Sequence, residues 1–435
     1  MIRGSHRNSF REKGTHSPGS GRRIQRTVGS GNTVMTSSKD STLSTGARDV
    51  SRLRVAVVGI RGIPAKFGGS ETAAEEIGWR MAAAGDHVCV YCRRHNSANL
   101  EGDFRGMHRI VLPSINTFQL DTMSHSFLAS LHILRTNSAD VIHFHGVGNG
   151  LVLPLFLLSE KRLIVTIDGP DWERPKWGRL ARYALRLGAW LAVHFADALI
   201  IDNHPARQLF AERYGVDSEY IPYGADIDKP TAKDFLAQLG LQPNSYILFV
   251  GALVPDKGPD LLLDAFASVN TDLPLVIVGD SPFFPRYRAE LKRKASDDSR
   301  VMMLGYVYGD RYRQLLASAY AYVHPLRSDG TSPALLQAMA YGNCVIVNSV
   351  PEALSAVGDA ALAYRRNDSN DLAAKLQQVI DQPDMAQRLR EKAVERVREE
   401  YSWERVTEDH RLLFSDVLQG RIARNTRFRL RGGRQ

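Results

Sequence analysis

Cysteine is scarce in this chain of 435 residues: only Cys89, Cys92 and Cys344. So few thiols exclude a disulfide-stapled scaffold and point to a reducing compartment. Cys89 and Cys92 have CxxC spacing, but they fall in a Val-rich run expected to be a strand. A redox pair would sit at a helix N-terminus, where the thiol is activated. Long apolar runs are absent too, and nothing reaches the ~18 consecutive apolar residues of a membrane span. The first residues lack the apolar segment of a signal peptide. No GxGxxG is present. The first glycine-rich loop, IRGIPAKFGGS at residues 60–70, spreads Gly62, Gly68 and Gly69 around Pro64, which argues against a nicotinamide site. No carboxylate cluster suggests a metal, and none is expected.

Acidic residues are rare at both ends. Residues 1–54 hold eleven Lys/Arg against Glu12, Asp40 and Asp49, and residues 420–435 hold six Arg and no acid. The chain's net charge of +9 therefore leaves −5 for the body between them. The basic character belongs to the ends, rich in Ser, Gly, Thr and Arg at the N-terminal one, and residues 1–53 read as a disordered basic tail. The tails lack aromatics interleaved for base stacking, so nucleic acid is not an expected partner.

What is present is a repeated β–loop–α–β pattern. RVAVVG at 54–59 reads as a buried parallel strand, followed by the 60–70 loop, a helix at 71–84 and a strand at 87–92. Further strands are expected at 110–112, 141–144, 163–167 and 197–202, with helices at 120–135, 150–158 and 176–195. After a polar stretch at 225–245 the pattern restarts: strand 246–250, loop 251–258, helix 259–269, strand 275–278. Strands at 301–305, 321–324 and 344–347 and helices at 310–317, 334–341, 368–380, 385–400 and 403–418 complete it. Two restarts predict two α/β domains.

Candidate site residues lie in the loops after strands. GALVPDKG at 251–258 offers Lys257 before a helix start. Between strand 321–324 and helix 334–341 runs a polar loop with Arg327, Asp329, Gly330, Thr331 and Ser332. Backbone N–H groups and the helix dipole at such a helix start favour an anion. Gly68 and Gly69 allow the backbone close to a phosphate. His145 ends a strand, at the edge where open α/β sheets bind ligands. In TIDGPDWERPKW at 166–177, Asp168 is a carboxylate just past the end of a strand. The 176–195 helix spaces Lys176, Arg179, Arg182 and Arg186 helically. Both a solvated face over a buried stripe and a membrane-surface helix fit that pattern.

These segments together resemble the GT-B-fold glycosyltransferases of family 4, and a rhamnosyltransferase-like subgroup of it, over residues 54–419. The resemblance rests on the 59–72 loop, on Asp171-Trp172 and Lys176-Trp177, on GALVPDKG, and on Asp329 and Gln337 eight residues apart. Three positions depart from the family: Ala252 replaces an Arg, Asp168 a His, and Gln337 a second carboxylate.

The resemblance implies two Rossmann-like doubly wound domains with a cleft between them. The first would span 54–225, with helix 402–419 packing back on it, and the second 246–400 beyond a linker at 226–245; 420–435 is a second basic tail. It implies a nucleoside-diphosphate sugar as donor, held by Gly68, Gly69, Lys257, Arg327, Asp329, Gly330, Thr331, Ser332 and Gln337. Asp171, Trp172 and Lys176 would lie on the acceptor side, with Asp168 and His145 catalytic. Transfer, retaining by family, would go to a glycan or lipid-linked acceptor in cell-surface polysaccharide synthesis, without cofactor. The location expected is cytoplasmic, with peripheral contact at the inner face of the membrane. A sugar-nucleotide epimerase of the same fold and a non-catalytic nucleotide- or carbohydrate-binding protein are the competing readings.

Overall fold

Val55–Val58 are buried on both faces, and such a strand must lie inside a sheet covered by helices on each side. The computed structural model describes residues 52–422, apart from 66–67, 98–100, 118, 174–176, 233, 282–283 and 328–331. The tails predicted to be disordered lie almost wholly outside these residues, as do Lys176, Asp329, Gly330 and Thr331.

The first sheet contains β1 (Arg54–Val58), β2 (His87–Arg93), β3 (Gly102–Phe104), β4 (Met107–Leu112), β5 (Val141–His145), β6 (Arg162–Ile167), β7 (Ala198–Ile201) and β8 (Glu219–Tyr220). Their order is β3-β4-β2-β1-β5-β6-β7-β8, parallel throughout except for the short β3–β4 hairpin. Helices α1 (Gly69–Ala83), α2 (Arg94–Ser97), α3 (Asp121–Thr136), α4 (Arg179–Phe195) and α5 (His204–Tyr214) connect them.

The second sheet contains β9 (Ile247–Val250), β10 (Leu275–Val278), β11 (Val301–Gly305), β12 (Ala321–His324), β13 (Cys344–Asn348) and β14 (Leu362–Tyr364). The order β11-β10-β9-β12-β13-β14 is wholly parallel. With it run α6 (Asp234–Gln238), α7 (Pro259–Phe266), α8 (Pro285–Ser296), α9 (Gly309–Ala317), α10 (Pro333–Ala340), α11 (Pro351–Val357), α12 (Ser369–Asp381), α13 (Pro383–Glu400) and α14 (Trp403–Leu418). The expected pair of doubly wound α/β domains is therefore present.

Several elements differ from the sequence reading. The helix expected at 150–158 is a 3-10 run, Val147–Phe156, with Pro154 inside it. Pro154 lacks the N–H that an α-helical ladder would use. Gly150 also sits so near α4 that a Cβ there would lie 1.9 Å from the Gly188 carbonyl oxygen. The helix expected from residue 176 begins at Arg179. The stretch read as polar linker contains α6, whose Phe235 N–H donates to Gln314 on α9 at 3.0 Å.

The chain passes between the domains twice at one place. Ala225 N–H donates to the Tyr401 carbonyl at 2.7 Å, and Ala225 and Ser402 form a β-bridge. Ser402 then caps α14 by accepting from the Arg405 N–H. α14 lies on α1, where Val406, Leu413 and Phe414 share an apolar core with Ala73, Ala74 and Ile77. Arg411 clamps the α1–β2 turn through Asp86 at 2.8 Å.

Candidate active site

Strand order fixes where ligands can approach. In the first sheet the order reverses between β1 and β5, and in the second between β9 and β12. The C-terminal ends of strands on either side of such a reversal leave a crevice between their loops. The β1 loop carries Gly68 and Gly69; the β9 loop carries Lys257; the β12 loop carries Arg327 and leads to Ser332.

Two helix N-termini meet there. The first turn of α1 includes Gly69, and a Cβ on Gly69 would lie 3.0 Å from Pro333 Cγ, in the first turn of α10, and 3.7 Å from Tyr223 Cζ. Each helix start carries outward N–H groups and the positive end of a dipole. The α1 entry is built by Glu71, which is buried and accepts from the Arg61 N–H at 3.0 Å and from its guanidinium at 3.3 Å. Gly68 has φ 108°, and a Cβ would collide with Glu71.

Asp168, just beyond β6, accepts from the Tyr223 hydroxyl at 2.9 Å, and its carbonyl accepts from the Asn203 amide at 3.0 Å. Burial, then the Asp168 charge, pushes the Tyr223 hydroxyl well above the ordinary tyrosine range, so it stays a proton donor. Tyr223 thus joins Asp168 to Gly69.

On the second domain, Lys257 ends a short 3-10 turn and Gly258 follows at φ 66°. A Cβ on Gly258 would lie 2.2 Å from the Pro325 carbonyl, so the Lys257 loop is pressed against the end of β12. His324, the last residue of β12, is buried, and burial followed by the nearby Lys257 charge lowers its pKa to about 3. Its Nε2 has no hydrogen-bond partner among the described residues.

Two expected donor ligands are already engaged. Arg327 forks onto Asp260 at 2.7 and 3.0 Å and donates to the Pro255 carbonyl at 2.9 Å. Burial pushes the Asp260 carboxyl up, but hydrogen bonds from Arg327 and Tyr287 outweigh it and hold the carboxyl below its usual range. Arg327 therefore fastens the β12 loop to the start of α7. Gln337 turns to the chain between the domains, accepting from the Asp226 N–H at 3.1 Å and donating to the Asp226 carbonyl at 2.6 Å.

His145 does not join this group. Its ring is buried 4.2 Å from that of His143, and His143 in turn lies 5.6 Å from His410 on α14. Neither His145 ring nitrogen has a partner among the described residues, and burial lowers its pKa to about 3. Residues two apart on β5 share one face, which here is the face under α14 rather than the crevice. Trp172 is likewise core: it is buried beside Phe210, with the Arg213 guanidinium over its ring. Its neighbour Asp171 is half-buried in the 3-10 turn Asp171–Glu173. Glu71, Tyr223 and His324 were not among the expected site residues; Tyr223 meets Asp168 across 55 residues of chain, whereas Glu71 bonds Arg61 only ten residues away.

Two domains of this topology, with the crevice between them, define the GT-B architecture. Residues 67–229 match the family Glycosyltransferase Family 4, and residues 233–396 match Glycosyl transferases group 1. The two matches follow one another along the chain. Among curated relatives, O-antigen chain mannosyltransferase B of Escherichia coli is 25% identical over 49% of this chain and 55% of its own. D-inositol 3-phosphate glycosyltransferase of Rhodococcus erythropolis is 28% identical over 51% and 54%. In both matches the chain spans about half the relative's length. Among solved structures, sucrose-phosphate synthase of Thermosynechococcus elongatus superposes with TM-score 0.72 at 21% identity, covering 85% of this chain and 100% of that one. Anabaena Alr3699/HepE, in complex with UDP and glucose, gives 0.70 at 18%, covering 84% and 100%.

Proposed function

We propose that this protein is a glycosyltransferase that moves a sugar from a nucleoside-diphosphate sugar to a glycan or lipid-linked acceptor in cell-surface polysaccharide synthesis. The observation that carries this reading is the opposition of the α1 and α10 N-termini, with the Lys257 loop packed on the end of β12 that leads to α10. A diphosphate there would meet backbone N–H groups from both domains and one ammonium. Those groups stabilise the charge that develops as the bond from the anomeric carbon to the phosphate oxygen breaks. No metal is required in this scheme, because helix dipoles and Lys257 supply the positive charge.

Asp168 faces the acceptor side, held by Tyr223, and orients the acceptor hydroxyl or takes its proton. Ser332 with residues 329–331 would contact the sugar and phosphates. Gln337 would meet the ribose on releasing Asp226. Its subgroup resemblance extends the reading to rhamnose from dTDP-rhamnose, transferred with retention, and to a peripheral position at the inner face of the membrane where a lipid-linked acceptor is presented. The supporting residues are the 59–72 loop and the two acid-Trp and Lys-Trp pairs.

Thermal denaturation with UDP, GDP, dTDP, ADP and NAD tests the donor site, since a ligand that binds only the folded state raises Tm. One nucleoside diphosphate, expected to be dTDP, should raise Tm, and NAD should not. Lys257→Ala should weaken that binding about tenfold to a hundredfold, the range of one charge-assisted hydrogen bond of about 1.5–3 kcal/mol. A folded protein that responds to no nucleoside diphosphate would overturn the reading.

A further inference from the structure

The outward side of α4 is apolar. Leu180, Tyr183, Leu187 and Trp190 are exposed at spacings of three and four, so they form one stripe, with Leu180 at 83% and Tyr183 at 67% exposure. The opposite side buries Gly188, Ala189, Ala192 and Val193. A solvated helix would present charge where this one presents Leu, Tyr and Trp. The stripe also continues onto neighbouring elements. The 3-10 run Val147–Phe156 packs against both α3 and α4: a Cβ on its Gly148 would touch Leu185 at 3.4 Å and Met123 at 3.9 Å. Just after that run Leu158 is fully exposed, and α3 exposes Phe127, Leu128 and Leu131. Beside α3 an open groove of about 560 Å³ is lined by Ile115, Leu120, Phe127 and Leu128 among others. Apolar exposure on this scale exceeds scattered surface residues and marks a contact face.

Charge decides the partner. Arg179 and Arg186 are exposed beside the α4 stripe, and neither forms an ion pair among the described residues. α4 contains no Asp or Glu, and the one acid of α3, Asp121, is bonded to Arg93 at 2.6 Å. A second copy docked through this face about a two-fold axis would set arginines against arginines. Apolar and aromatic side chains rimmed by unpaired cations match the boundary between acyl chains and anionic head groups.

We propose that the α3–α4 face docks the protein on an anionic phospholipid surface, with Leu180, Tyr183, Leu187 and Trp190 entering the acyl boundary and Arg179 and Arg186 on lipid phosphates. This rests on the peripheral placement proposed above, and names the surface and the lipid chemistry. The test is sedimentation of the full chain with vesicles of phosphatidylcholine alone or in equal mixture with phosphatidylglycerol. Binding is expected to the mixed vesicles, to weaken with salt, and to fall about fivefold for each Arg179→Gln or Arg186→Gln change. Leu180→Ser with Leu187→Ser should abolish it. Brominated lipid should quench tryptophan fluorescence, and less so in Trp190→Phe.

Equal binding by the serine variant would overturn the proposal and assign the lipid to the basic ends of the chain. So would failure of the folded protein to bind mixed vesicles, or a solution dimer that the serine changes dissociate. Nucleotide-induced Tm shifts in the same variants report the fold and donor site separately, so failure of the lipid proposal and failure of the transferase reading give different results.

Discussion

At Gly224 the two passages between the domains leave no room for a side chain. A Cβ there would lie 2.5 Å from Trp403 Cδ2 and Cε3 and 3.0 Å from its Cα. Trp403 is buried at the start of α14 and has no space to retreat. Gly224→Ala should therefore cost about 1–3 kcal/mol, as overpacking does in other cores, read as a lower denaturation midpoint with the slope unchanged. Residues of this kind divide by how much of their role is local. Lys257, Gly68 and Gly69 could be picked out from sequence, because a short loop between strand and helix is a signal in itself. Gln337 could be picked out but its partner could not: nothing near it in sequence says that its amide spans to Asp226. The same holds for Tyr223, whose partner Asp168 lies 55 residues away. His145 shows the converse, since a histidine ending a strand carries no mark of which face its ring takes.

Among elements, α1 and α10 set the width of the crevice. Gly69→Val would put branched atoms where Pro333 already stands 3.0 Å from the Cβ position. The helix starts should part, and nucleoside-diphosphate binding should weaken about tenfold, or 1.4 kcal/mol, by calorimetric titration while the apo protein stays folded. Beneath α14 a different coupling operates. His143 bonds Thr166 at 2.7 Å, His410 Nδ1 donates to the Val406 carbonyl at 2.7 Å, and His145 and Phe414 complete the cluster. Burial lowers His145 to about 3 and His410 to about 4, and burial, then the His145 and His410 charges, lowers His143 well below its ordinary value.

All three histidines are neutral when folded, whereas in the unfolded chain they take up protons below about pH 6.5. Between those values the unfolded state binds more protons, so stability rises with pH and is lost as pH falls from about 6.5 toward 4. Each such histidine contributes a slope of about 1.4 kcal/mol per pH unit. His410→Leu should make the fall in Tm between pH 6.5 and 4 shallower. An unchanged slope would mean that other groups control it.

Element readings succeeded where apolar runs were continuous, as in β1, β5, β9 and β12. They failed where the pattern is thin: α8 buries only Leu291 and Ala295 among charged residues, and β3 (Gly102–Phe104) has only Phe104 to announce it. On α4 the spacing of the arginines was legible, but not that the side opposite the core would be apolar too, because that depends on which face Gly188 offers to Gly150.

For the whole molecule, the repeat of β–loop–α–β predicted two domains because each repeat must bury its own sheet. The return of helix 402–419 to the first domain was expected from the resemblance, but the pairing that fixes the crossing was not, since it joins Ala225 to Tyr401 and Ser402 across nearly the entire second domain. That crossing has a consequence for the order in which the protein is made. Seen from the first domain, everything between Asp226 and Tyr401 is one excursion that starts and ends at a single hydrogen bond. α14, which covers α1 and holds Asp86 through Arg411, leaves the ribosome after all of it. The first sheet has all its strands once Tyr220 is translated, yet its α1 side stays bare until translation is nearly done. A nascent chain stalled within the second domain would therefore expose the apolar face of α1 and the three histidines behind it, a surface the finished protein never shows.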